Sequence, residues 1–342
     1  MSSASSLSST IFKAAIEQRA SDIHFYPFAT QTDIYFRILG KRIFFKKIST
    51  NQYQFLLTYF KFSSGMDIGE SRKPQNGSMT HYENQSLFSL RLSTLPIHHQ
   101  ESLAVRILPQ NENHALHNLF LFPNQYKRVK SWISNRAGLI LITGPTGSGK
   151  TTTLYTLLKT LLQEDSYQTI SLEDPIEKEI QDILQVQVNE KAGMSYHTGL
   201  KAALRHDPDI IMIGEIRDKY TAQFAFEAAL TGHLVMSTLH AKDALGTIHR
   251  LHDMGITSTD LQQSLIAVAA IQLLPIQMNK LTTRRAAILE LLDGKMLNQV
   301  ITGADINTSP NFHSFHHLRK KAYSYGFISE EDLFESHEKI KS

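Results

Sequence analysis

The sequence predicts an α/β protein, a parallel-sheet core with a small α+β domain before it and a mainly helical tail after it. Three observations carry that expectation. Short, unbroken apolar runs alternate with helical patterns beyond Asn124, as in a parallel sheet covered on both faces. Upstream, apolar and polar residues alternate with the period of half-buried strands. The chain's 342 residues, 42% of them hydrophobic, suffice for about two domains at roughly 150 residues each.

In chain order, Ile11 to Arg19 reads as a short amphipathic helix after a Ser-rich start. Residues Asp33 to Ile48 form two β-rich runs separated by a turn at Gly40, and Ser86 to Ser93 and Ser102 to Ile107 add further strands. In FSLRLS, Phe88, Leu90 and Leu92 face a core, so Arg91 points away from it. The first domain therefore spans 1–110. The polar stretch Pro109 to His114 opens a linker over 111–122, a sheet core occupies 123–255, and the tail covers 256–342. Core strands are expected at Leu139–Ile142, Thr169–Leu172, Ile210–Ile213 and Leu234–Leu239, with helices at Thr152–Leu162, Tyr196–Arg205 and Thr221–Leu230. The tail holds a strand-like AAILELL, Ala286 to Leu292, ending at Asp293-Gly294.

Composition excludes several classes. With no cysteine there is no disulfide scaffold, zinc ribbon, iron–sulfur site or thiol nucleophile. A net charge of +3 is no nucleic-acid footprint. The longest apolar run, Leu265 to Ile276, is cut by Gln272 and Pro275 and is shorter than the ~18 residues of a membrane span. The first ten residues lack the basic and apolar regions of a secretory signal, so the expected location is the cytoplasm.

The strongest local signal is G-P-T-G-S-G-K-T, from Gly144 through Pro145, Thr146, Gly147, Ser148 and Gly149 to Lys150 and Thr151. Glycines let successive N–H groups face one anion, the following helix adds its positive end, and a Lys reaches the β- and γ-phosphates. Thr151 offers a hydroxyl to Mg2+. The strand LILIT before the loop and the helix after it are the context a P-loop NTPase needs. In LRHDPDIIMIGEIRD, Gly214 stands where a short acid ordinarily ends the strand, and the longer Glu215 follows. SLEDPIEK places Glu173 and Asp174 after another buried strand, at the ligand end of a parallel sheet. Glu173 is a candidate to orient an attacking water, with a helix-start charge before Pro175 as the plainer alternative. His233 and His240 lie seven residues apart along one strand, ~23 Å, so one metal cannot bind both. His240 is left with a γ-phosphate contact or a hydrogen-bonded core role. His313/His317 and His249/His252 have helical spacing but no supporting acids.

Four ordered segments, GPTGSGKTTTLY, SLEDPIE, LRHDPDIIMIGEIRD and TGHLVMSTLHAKDA, together resemble the Walker A, Asp box, atypical Walker B and His box of the secretion/type IV pilus ATPase family. ASDIHFYP (20–27), RLSTLP (91–96) and AVRIL (104–108) agree with its amino-terminal domain, and the match spans about residues 12 to 292. The resemblance implies a homo-hexamer of subunits, each with a PAS-like domain followed by a RecA-like P-loop core, with ATP at the domain interface. It assigns Gly144 through Thr151 and Thr152 to ATP, Thr151 and Glu215 to Mg2+ (partly through water), and Glu173, Glu215 and His240 to catalysis. Arg91 and Arg106 match arginines that swing toward the triphosphate. The implied partner is a polytopic membrane platform protein, reached by a motor lying at the inner face of the membrane without a span or direct nucleic-acid contact of its own.

Several positions depart from the family pattern. The four-cysteine insertion, the extra amino-terminal domain and an AIRNLIRE segment are missing. RxDG is RILG (37–40), Tyr26 replaces an acid, and AQRL of a late helix becomes Ala270-Ile271-Gln272-Leu273. These features point to a short, metal-free assembly motor of the competence-pilus kind. A DNA translocase of another P-loop class and a nucleotide-binding scaffold without turnover are the alternatives. A GTPase is excluded because Asn279-Lys280 continues Leu-Thr and not toward an NKxD aspartate.

Overall fold

The computed structural model describes residues 2–98, 100–110, 115–278, 281–306 and 309–338. The chain divides into two compact units, 1–112 and 113–342. Residues 111–114 of the expected linker and the Asn279-Lys280 pair lie outside the described residues.

The first unit runs α1 (Ser2–Glu17), β1 (Asp22–Pro27), β2 (Gln31–Ile38), β3 (Lys41–Ser49), α2 (Thr50–Ser63), β4 (Gln75–Glu83), β5 (Ser86–Ile97) and β6 (Gln100–Pro109). Its sheet has the order β3-β2-β1-β6-β5-β4, every pair antiparallel. One face is apolar. Ile23, Phe25, Ile34, Phe36, Leu90, Leu92 and Val105 pack against Ile11, Phe12, Tyr53 and Phe60 of the two helices. Period-2 alternation then turns Arg91 and Arg106 to the opposite face, as FSLRLS implies for Arg91. The register sets Arg37, Asp22, Arg106 and Arg91 in one row across β2, β1, β6 and β5. Asp22 accepts from Arg106 Nε at 3.0 Å and faces Arg37 at 3.8 Å.

Helix α1 begins nine residues earlier than Ile11. Serines are mediocre helix formers, but Ala4, Ser8, Ile11, Phe12 and Ala15 recur at helical spacing and are buried, so packing overrides propensity. Strand β4 (QNGSMTHYE) carries no apolar face that would mark it, and it is an edge strand.

The second unit contains α3 (Leu116–Leu119), α4 (Pro123–Trp132), β7 (Gly138–Thr143), α5 (Lys150–Glu164), β8 (Thr169–Glu173), β9 (Leu184–Gln187), α6 (Tyr196–Ala203), β10 (Ile210–Ile216), α7 (Lys219–Leu230), β11 (Leu234–Leu239), α8 (Ala244–Asp253), α9 (Ser258–Ser264), β12 (Leu265–Met278), β13 (Leu281–Asp293), α10 (Gly294–Ile301), α11 (Phe315–Ser324) and α12 (Glu330–Glu338). The sheet order is β13-β12-β7-β11-β10-β8-β9, parallel from β12 to β9 with β13 antiparallel at the edge. Successive residues of β7 enter different cores. Leu139 and Leu141 join the cluster under α6 to α11, while Ile140 and Ile142 join the one under α3, α4 and α5. That two-sided burial is why the core strands read as unbroken apolar runs.

Two regions differ from the sequence reading. Residues 116–122, assigned to the linker, contribute a helical turn to the second unit, where Leu116, Phe120 and Phe122 are buried. Within 256–342, read as mainly helical, Leu265–Asp293 forms a long hairpin continuing the central sheet. Ala270–Leu273 is therefore strand and not late helix. Pro275 is tolerated because β12 pairs with β7 only as far as Ala270.

Candidate active site

The loop between β7 and α5 is a concave backbone surface. Gly144, Gly147 and Gly149 have φ of 149°, 77° and 97°, which L side chains rarely adopt. A Cβ on Gly144 would sit 2.7 Å from both the Ile271 carbonyl and Ser148 Oγ, so β12 forms one wall of the loop. Pro145, Thr146 and Gly147 are exposed at the rim, and Thr152 is exposed on the first turn of α5. Lys150 is buried and donates to the Gly144 and Pro145 carbonyls at 2.9 and 3.1 Å. Burial lowers its pKa, an effect opposed by the charges of Glu215 and Glu177. Ser148 Oγ is buried without a protein partner among the described residues. An orphaned hydroxyl, a glycine cradle and a helix N-terminus beside Thr151 fit a phosphate chain with its Mg2+.

Glu215 reaches this loop by a register shift. Ile213 pairs with Ser237 but Ile216 with Leu239, so one extra residue is inserted in β10, at Gly214-Glu215. Such a bulge re-aims a side chain. Thr238 Oγ1 pins it by donating to the Gly214 carbonyl at 2.7 Å. A Cβ at Gly214 would lie 3.3 Å from the Leu172 carbonyl and 3.4 Å from Glu173 Cα, so an acid in the ordinary place would press into β8. Glycine with the acid one step later resolves the crowding.

From Glu215 a polar chain extends both ways. His240 Nε2 lies 3.1 Å from Glu215 Oε1, and His240 Nδ1 lies 3.5 Å from Lys150 Nζ. The tautomer with its proton on Nε2 satisfies both, donating to the carboxylate and accepting from the ammonium. Arg217 Nε donates to Glu215 Oε2 at 2.9 Å, and its Nη1 to Asp174 Oδ2 at 3.2 Å.

Glu173, at the end of β8, is 3% exposed. Oε2 accepts from the Tyr155 hydroxyl, and Oε1 from Ser171 Oγ at 2.7 Å and Gln185 Nε2 at 3.1 Å. Burial and the neighbouring carboxylate push the Tyr155 phenol up, so it remains a donor. Glu290 on β13, also buried, accepts the N–H groups of Ala244 at 3.1 Å and Phe315 at 2.6 Å, at the starts of α8 and α11. Desolvation, aided by Asp243, raises it to about 7 despite those two donors.

The structure thus brings together Gly144–Thr152, Glu215 and His240, with Glu173 on the strand beside Glu215, while Arg91 and Arg106 stand on the open face of the first unit's sheet. Sequence reasoning missed Tyr155, Ser171, Gln185, Glu177 and Arg217. Tyr155 alone left a trace, as the one aromatic residue of α5, one turn after Thr151. His233 caps the end of α7 through the Ala228 carbonyl at 3.0 Å, and His252 contacts the Ile256 carbonyl at 3.0 Å. The His313 and His317 rings stack at 4.8 Å. Among the described residues no group of three or more His, Asp or Glu is placed to hold a metal through side chains alone.

The sequence model for type II/IV secretion system proteins matches residues 2–306. The chain belongs to that family. The chain is 40% identical over 343 residues to the competence protein ComGA of Bacillus subtilis, covering 96% of each chain. It is 40% identical over 259 residues to the type IV pilus assembly ATPase PilB of Thermus thermophilus, covering 75% of this chain and 29% of that one. Among solved structures it resembles the pilus retraction motor PilT with bound ADP, with a TM-score of 0.74, 30% identity and 96% of each chain covered. The ATPase DotB of Legionella pneumophila shares the fold at 21% identity with a TM-score of 0.78, over 96% of this chain and 94% of that one. The fold is a RecA-like P-loop core with a PAS-like domain before it, and the protein is a nucleotide-binding ATPase of the secretion and pilus-assembly class. No described helix is long and apolar enough to cross a membrane.

Proposed function

We propose that this protein is the ATP-hydrolysing motor of a competence-type pilus, working as a homo-hexamer at the inner face of the membrane on a polytopic platform protein. The observation that carries the reading is the unbroken polar chain Lys150–His240–Glu215–Arg217–Asp174 set against a glycine cradle. In it, Gly144 through Thr152 hold the triphosphate, with Lys150 neutralising the β- and γ-phosphates. Thr151 and Glu215 would hold Mg2+, partly through water, and the ion would draw charge off the phosphate oxygens as the leaving group departs. Glu173 accepts a hydrogen bond from the attacking water and orients it in line. His240 links the γ-phosphate environment to Glu215, so loss of that phosphate changes what both Glu215 and Lys150 bind.

Arg91 and Arg106 are the first unit's contribution to the triphosphate. Closing the two units on ATP and releasing them after hydrolysis turns binding energy into movement. Driving such an equilibrium from 1:99 to 99:1 needs ~5.5 kcal/mol of differential binding, within reach of several charge-assisted contacts. The test is to size the purified protein with and without a non-hydrolysable ATP analogue while measuring phosphate release. A hexamer that turns over ATP is expected. A monomer without turnover in the presence of Mg2+ would overturn the motor reading.

A further inference from the structure

Glu173 is held in a way that its proposed role does not by itself require. A carboxylate offers about four lone-pair positions. Tyr155, Ser171 and Gln185 fill three, and among the described residues no protein donor takes the remaining one, on Oε2. A carboxylate so arranged has room for a single further donor. The three holders come from different places. Ser171 is on the same strand, two residues back. Gln185 is on β9 and is itself fixed, its Nε2 also donating to the Lys178 carbonyl at 3.0 Å and its Oε1 accepting from Ile180 N at 2.8 Å. Tyr155 alone belongs to α5, the helix that begins with Lys150 and Thr151.

That placement has a geometric consequence. Residues 151 and 155 are four apart on a helix and share a face, and long helical side chains lean back toward the N-terminus. The Tyr155 phenol therefore lies over the turn that presents Thr151. Its oxygen also accepts the Glu177 N–H at 3.4 Å, so one hydroxyl ties the phosphate-binding helix to the segment carrying both Glu173 and Glu177. Tyr155 is buried, so its hydroxyl has no easy substitute partner in water.

We propose that Tyr155 is a positioning residue for hydrolysis, whose hydroxyl registers the Glu173 carboxylate against the phosphate-binding helix and leaves it one free acceptor position for the attacking water. The proposal rests on the reading of Glu173 as the water-orienting acid. Tyr155 keeps its proton throughout and touches neither water nor nucleotide. Without the phenol, the carboxylate loses a donor and wanders from its angle. With ATP bound elsewhere, the defect falls on turnover and not on binding.

The test uses the full-length protein and compares Tyr155→Phe, Ser171→Ala, Glu173→Gln and the Tyr155→Phe/Glu173→Gln double variant in steady-state ATP hydrolysis, with thermal melting and ATP-analogue binding as folding controls. Tyr155→Phe is expected to lower kcat about tenfold with KM changed less than twofold. Ser171→Ala, which leaves α5 untouched, should give a smaller fall in kcat, again with KM changed less than about twofold. The double variant should be no slower than Glu173→Gln alone, because there is no carboxylate left to position. Should Tyr155→Phe keep the wild-type kcat while Glu173→Gln abolishes turnover, the positioning role is wrong and the reading of Glu173 stands. Multiplicative losses in the double variant would mean that Tyr155 acts only through general stability. A Glu173→Gln enzyme of normal kcat would instead bring down the reading of Glu173 and the positioning role with it.

Discussion

The ends of β8 and β10 lie side by side, paired from Thr169 against Ile210 to Leu172 against Ile213, and each delivers a glutamate. Glu173 is enclosed by neutral donors, a phenol, a hydroxyl and an amide. Glu215 is half-buried and bracketed by Arg217 and by His240, with Lys150 next in the chain. Neutral donors fix a carboxylate's direction without consuming its charge, so it can still pull on a water. The Arg217 cation spends that charge in an ion pair, and on the proposed reading Glu215 is a switchable junction for a metal and a phosphate. On that reading, two glutamates on neighbouring strands take different roles from their donors and not from their own chemistry.

The largest expected effect removes the cation on which the second cluster converges. Lys150→Ala should reduce ATP turnover by about a thousandfold or more and abolish detectable binding of a triphosphate analogue. Next comes Glu173→Gln, which keeps the shape of the caged group but not its charge. A fall of about a hundredfold or more in kcat is expected, with analogue affinity within a few-fold of wild type by calorimetry. Glu215→Gln sharpens the contrast. Its kcat should drop only about tenfold while the Mg2+ concentration for half-maximal rate rises, and an unchanged Mg2+ requirement would contradict the junction role.

The smallest effect concerns Glu290, buried with only two backbone donors and raised to about 7. A folded carboxyl that holds its proton more tightly than the unfolded chain favours the folded state most below the ordinary value of 4.5, and loses that contribution as pH rises to about 7. Over that window stability should decline by at most about 3 kcal/mol. Glu290→Gln should flatten this segment of a urea-denaturation series between pH 4.5 and 8. An equally steep wild-type and variant slope would show that another group titrates there.

Much of this was legible because the physics is local. Gly144, Gly147 and Gly149 announce a backbone that must adopt positive φ, and the apolar runs at Leu139–Ile142 and Leu234–Leu239 announce strands buried on both faces. Arg91 pointed outward because Leu90 and Leu92 point inward. What stayed hidden depends on distant partners. LIAVAAIQLLPIQM has no period that separates a strand from a buried helix, and only its pairing with β7 and β13 decides the matter. The bulge at Gly214-Glu215 is a relation between two strands, invisible in either alone. Tyr155 and Glu173 meet across the gap between a helix and a strand, and no spacing in the chain encodes that meeting.

The carbonyl of Ile271 closing in on Gly144 carries a consequence for biosynthesis. The anion loop is translated early, but its far wall belongs to a strand made long afterwards. A polypeptide emerging from the ribosome holds an unfinished cradle until the late hairpin docks, so the capacity to grip nucleotide arrives together with completion of the central sheet.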